Sequence, residues 1–80
     1  MSGIAFKSTP CGRNSFYRRH ASAVVDADHH MTIGATRHGD SVQVCLSDNM
    51  MQSYMNFTAE QARAVAAELM ACADALQGRA

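Results

Sequence analysis

Apolar and polar residues alternate strictly in two stretches of the chain. In MTIGAT, Met31, Ile33 and Ala35 alternate with Thr32, Gly34 and Thr36; in SVQVCLS, Val42, Val44 and Leu46 alternate with Gln43, Cys45 and Ser47. Period two sends successive side chains to opposite faces of a sheet, so both stretches predict half-buried strands. MMQSYMNF extends the pattern, with Met51, Ser53, Met55 and Phe57 on one parity and Gln52, Tyr54 and Asn56 on the other. RHGD and DN between these segments read as turns, with Gly39 available for a positive φ in the first. Upstream, FYRRHASAVVD carries a weaker signal: a strand whose firmest part is Val24 and Val25, or a short helix over residues 16–25. DADHH supplies turn residues after it.

After Phe57 the period changes. Thr58 followed three residues later by Gln61 forms a capping box, Phe57 is placed to staple onto Ala62, and Glu60 lies in the first turn, where the helix dipole favours a negative charge. At 100° per residue, Ala62, Val65, Ala66, Leu69, Cys72, Ala73 and Leu76 share one arc, with Glu60, Arg63, Glu68 and Asp74 outside it. That arc is the expected core face, Cys72 being a small buried hydrophobe within it and Met70 marking its edge. Gly78 is the expected stop. Opposite the arc run Ala64, Ala67, Ala71 and Ala75, either a surface that favours helix formation or a smooth ridge against which a second helix can pack closely.

Short connections favour antiparallel neighbours, so the elements assemble into an α+β fold: a three- to four-stranded β-meander with the C-terminal helix on one face, meeting Ile33, Val42, Val44, Leu46 and Phe57. Residues 16–80 form this single domain. Residues 1–15, holding the only proline and no sustained period, read as a flexible basic arm.

Eighty residues bury only about 60% of the surface of their unfolded chain, so the core is thin. Three cysteines without close pairing and no recognisable signal peptide point to a reducing cytoplasm, which leaves a homodimer as the expected route to further burial. No apolar run reaches membrane-spanning length. Net charge is zero, but the first twenty residues hold Lys7, Arg13, Arg18 and Arg19 without an acid, while the other sixty hold three basic and seven acidic residues. A basic head on an acidic body can steer encounters with a charged partner or fold back on its own chain.

Several clusters have chemical potential. DADHH gathers two carboxylates and two imidazoles, but adjacent His29 and His30 on a strand face opposite ways, so no metal or other cofactor is expected. Cys11, Cys45 and Cys72 are widely separated, and nothing in the sequence sets a histidine beside any of them; catalysis is not expected. GRNSFYRRH interleaves Arg13, Arg18 and Arg19 with Phe16 and Tyr17, a combination suited to nucleic-acid phosphates and bases or to an acidic protein surface. Met51 and Met55, with Met50 beside them and Met70 on the helix, fill gaps in a core or adapt to a binding surface. Tyr54, on the face away from the helix, is the natural interface anchor.

The stretch from SVQVCLS through TAEQARAVAAELMACADAL resembles the end of many small uncharacterised bacterial and phage proteins, in which a strand precedes a helix opening T-x-E-Q-A-R. It covers about half the chain. The resemblance brings no catalytic residue; it implies a small accessory protein of phage or prophage context. The expectation is therefore a non-enzymatic binding protein, most concretely an inhibitor of a host defence complex of the anti-CRISPR kind, with a larger protein as partner. The alternative is a small nucleic-acid-binding protein. Contact residues are expected among Arg13, Phe16, Tyr17, Arg18, Arg19 and Tyr54, and a further interface at Met51, Met55, Met70, Ala64, Ala67 and Ala71.

Overall fold

A computed structural model describes residues 3–78. Five strands form one antiparallel sheet in chain order: β1 (Lys7–Ser8), β2 (Tyr17–Asp26), β3 (His29–Thr36), β4 (Val42–Ser47) and β5 (Gln52–Phe57), followed by helix α1 (Ala59–Leu76). The fold is α+β, with five strands rather than three or four. The segment expected as strand or short helix over residues 16–25 is strand, over Tyr17–Asp26. Its buried positions, Ala21 and Ala23, are small, and bulges at Tyr17/Arg19 and Val24/Asp26 break the alternation.

The extra strand comes from the segment read as an arm. Lys7 pairs with Ser22 and Ser8 with Ala21, and the Thr9 N–H extends the ladder by donating to the His20 carbonyl at 2.8 Å. Register then assigns the faces. Ile33 opposes Val44 and Val44 opposes Met55; Met31 opposes Leu46, and Val42 opposes Phe57. These residues share one face with Ala21 and Ala23, while Gly34, Gln43, Cys45, Tyr54 and Asn56 lie on the other.

The turns are set by side chains. Asp48 accepts from the Met50 and Met51 N–H groups, each at 2.8 Å, closing the β4–β5 turn and holding its carboxyl below the ordinary range. In the β3–β4 turn the left-handed residue is Asp40, φ 44°, rather than Gly39. Aspartate tolerates that region better than most side chains because its carboxylate is short and polar. Thr36 completes the turn, its hydroxyl donating to the Ser41 carbonyl and accepting from the Ser41 N–H, both at 3.2 Å.

The capping box of α1 is fully formed. The Gln61 N–H donates to Thr58 Oγ1 at 3.1 Å, and the Thr58 N–H donates to Gln61 Oε1 at 2.9 Å. Gly78 follows the helix with φ 73°. What differs from expectation is the relation of helix to sheet. No residue of α1 is buried. Its apolar arc faces the apolar side of the sheet across an open groove of about 460 Å³, lined from below by residues including Ile33, Val44, Leu46 and Met55 and from above by Ala62, Val65, Ala66 and Leu69. Cys72 is exposed, not buried, and its thiol donates to the Glu68 carboxylate at 3.4 Å. Leu69 is 66% exposed and Leu76 91%.

The cause is local. Only Thr58 separates β5 from α1, and the cap fixes its backbone, so the direction in which the helix leaves the sheet is set at its first turn. Four of the seven arc residues are alanine or cysteine besides, and offer little area to draw the helix down. The buried apolar residues of the described chain are Ala21, Ala23 and Cys45.

Candidate functional site

The two faces of the sheet carry different chemistry. On the side away from α1, Tyr17 leaves β2 and lies over Gly34, where a Cβ would come within 2.7 Å of its ring. Its hydroxyl donates to Gln43 Oε1 on β4, and its ring meets His20 at 4.7 Å and the edge of Phe16 at 4.9 Å, measured between centroids. His20 reaches Thr9 Oγ1 through Nδ1 at 3.4 Å. Beyond Gln43 lie buried Cys45 and its cross-strand partner Tyr54. Tyr54 is 59% exposed, and its hydroxyl donates to Gln52 Oε1 at 3.1 Å. The neighbouring Cys45 thiol, with some loss of hydration and the Tyr17 phenol, pushes the Tyr54 phenol above its ordinary value.

This face therefore brings together Tyr17, Tyr54 and, at its edge, the exposed ring of Phe16. It does not bring the arginines with them. Tyr17 pairs with Thr36, but after the bulge Arg19 pairs with Ala35, which lies on the opposite face. Arg19 borders a hollow with Phe6, Ala21 and Val42. Arg18, the bulged residue, donates to the Arg37 carbonyl at 3.2 Å and lines a shallow cleft with Asp40, Thr58 and Glu60 at the start of α1. Arg13 is exposed in the turn before β2. The interleaved basic and aromatic residues of the sequence are thus divided between the two sides of the sheet.

Met55 lies on the groove side of β5, and Met51 borders that side in a second hollow with Val25, Met31 and Leu46. Met70 is two-thirds exposed. Ala64, Ala67 and Ala71 are exposed on α1 and do not line the groove.

One residue with a structural role carried no signal in the sequence. Arg37 donates from Nε to the Ser15 carbonyl at 3.0 Å, and from one terminal nitrogen to the carbonyls of Gly12 at 2.9 Å and Tyr17 at 3.3 Å. It binds the segment before β2 to the end of β3 and so holds Tyr17 in place. A lone arginine between a strand and a turn does not announce such a clasp, because its partners lie twenty or more residues away.

At the other end of the sheet, His29 Nδ1 meets Asp26 Oδ1 at 2.7 Å, and the Asp28 N–H donates to the same oxygen at 2.9 Å. The carboxylate raises the His29 pKa above 6.5, while the His29 hydrogen bond, reinforced by the Asp28 N–H, lowers that of Asp26 below 3.8. Among the described residues, no three His, Cys, Asp or Glu side chains converge as metal ligands. The Cys11 thiol donates to the Thr9 carbonyl at 3.3 Å and that of Cys72 to Glu68.

No family model, curated protein or solved structure matches this chain.

Proposed function

We propose that this protein is a small non-enzymatic binding module that acts by covering part of a larger protein, with the sheet face bearing Tyr17, Gln43 and Tyr54 as its contact surface. The single observation that carries this reading is a Tyr17 ring fixed in place on the same face as the exposed Tyr54. Tyr17 is held by Gln43, by the flat backbone at Gly34 and by the Arg37 clasp, so little freedom is lost when a partner packs on it. Tyr54 beside it is accessible, amphipathic and enriched as a residue type at interface centres. An inhibitor that masks a host defence protein is the version suggested by the resemblance of the C-terminal half to phage and bacterial accessory proteins.

The rival reading is a single-stranded nucleic-acid platform, on which bases would stack on Phe16, Tyr17 and Tyr54. Such platforms set cations beside the rings to follow the phosphates, whereas Arg19 lies on the opposite face and Arg37 is engaged by backbone carbonyls. That division favours a protein partner.

Host lysate passed over the immobilised protein tests the proposal. The expected result is a retained host protein, identified by mass spectrometry, that is lost with Tyr54→Ala while the variant keeps its circular dichroism. A fluorescent single-stranded oligonucleotide bound at low salt, with affinity falling steeply as salt rises, would overturn it in favour of the rival.

A further inference from the structure

The second unpartnered surface is the groove under α1, on the other side of the sheet from the proposed contact face. The chain exposes 6580 Å². A compact monomer of its mass exposes about 4,700 Å², so roughly 1,900 Å² of surface is left over. Its radius of gyration, 14.1 Å, likewise exceeds the roughly 11.6 Å of a compact chain of this length. The excess is apolar where it is most concentrated: Val65, Leu69 and Leu76 on the helix, and Leu46 and Met55 beneath it, are all exposed.

We infer that this groove is the interface between two copies of the chain, α1 of each lying across the open mouth of the other's groove about a twofold axis. Three observations select a second copy over a foreign partner. Two copies each covering even half of that excess would bury about 1,900 Å² in total, the size of a specific, stable protein interface. The required partner is an elongated apolar face; α1, about 27 Å long at helical rise, presents that face with its second half, at Cys72, Ala73 and Leu76, reaching beyond the groove-lining turns. Charge also matches within the chain: Arg19 borders the groove side of the sheet, while α1 beyond Arg63 carries Glu68 and Asp74 with no basic residue through Leu76. A twofold contact sets this arginine against the other copy's acidic helix. Closure of α1 onto its own sheet would satisfy the apolar residues too, but it requires the capped junction at Thr58 to bend.

Sedimentation equilibrium from low to high micromolar concentration tests the interface. The wild-type chain is expected at twice its 8.6 kDa. Leu69→Glu sets an unpaired charge in the groove and should raise the dissociation constant at least about a hundredfold, while Ala67→Glu, outside the groove, should leave the mass unchanged. Circular dichroism shows whether each variant stays folded. A single-chain mass for the wild type at high micromolar concentration overturns the inference, and so does a dimer that folded Leu69→Glu leaves intact, which would place the contact elsewhere, for instance along the open edge of β5. Neither result bears on the Tyr17 and Tyr54 face, whose test is separate.

Discussion

Individual side chains decide three local features, and each yields a measurable consequence. Gly34 is required for space, since the Tyr17 ring occupies the position of any Cβ there. Gly34→Ala should displace the ring, break its bond to Gln43 and cost about 1–3 kcal/mol as overpacking does, seen as a lower midpoint of urea unfolding with unchanged slope. Arg37→Ala removes three charge-assisted bonds to carbonyls. Because the site is partly exposed and water replaces some of them, the expected loss is about 1–2 kcal/mol, with faster amide exchange in residues 12–17. The Asp26–His29 pair responds to pH in two directions. His29, raised above 6.5, contributes fully below that value and loses its contribution as pH rises through the folded pKa; Asp26, lowered below 3.8, contributes above that value and loses it as pH falls through its own. The pair is therefore complete between about pH 3.8 and 6.5, set by the two ordinary values. An NMR titration should place the His29 midpoint above 6.5 and return it toward that value in Asp26→Asn; an unchanged midpoint in the variant would contradict the pairing.

At the scale of elements, legibility followed the strength of the alternation. β3 and β4 are readable because apolar residues recur at every second position, and β5 because Met51, Met55 and Phe57 keep one parity across Ser53, which admits only one half-buried register. β2 was ambiguous because its buried positions are alanines and two bulges shift its parity. β1 was missed because two residues cannot display a period; its pairing depends on the neighbour that β2 offers. The helix start was legible to the atom, since a capping box is a local pattern. Thr58→Ala should cost about 1 kcal/mol and, because the cap also sets the helix direction, should broaden the NMR signals of Val65 and Leu69 rather than only fray the first turn. What helical periodicity could not disclose was the covering of the arc. It shows which face is apolar and is silent on what lies against it, so Cys72 looked buried and is exposed. Likewise parity placed Tyr54 on the outer face from sequence, while the separation of Arg19 from Tyr17 depends on a bulge that the residues RRH do not signal.

At the scale of the whole molecule, one small sheet presents two surfaces of opposite character. The outer face is polar and aromatic, with its tyrosines held by hydrogen bonds; the inner face is apolar and stands open beneath a helix that does not reach it. No described helix is long and apolar enough to cross a membrane. A chain whose buried apolar residues, among those described, are Ala21, Ala23 and Cys45 gains little cohesion from burial within itself, and folding should be coupled to covering the groove. The thermal midpoint should accordingly rise with protein concentration, as it does when association and folding are linked. The covering itself is most directly read from isotope-filtered NMR on a sample mixed from labelled and unlabelled chains. The account predicts cross-copy contacts between the methyls of Leu69 or Leu76 and those of Met31, Ile33 or Leu46. Contacts confined to helix and sheet of the same copy would contradict it.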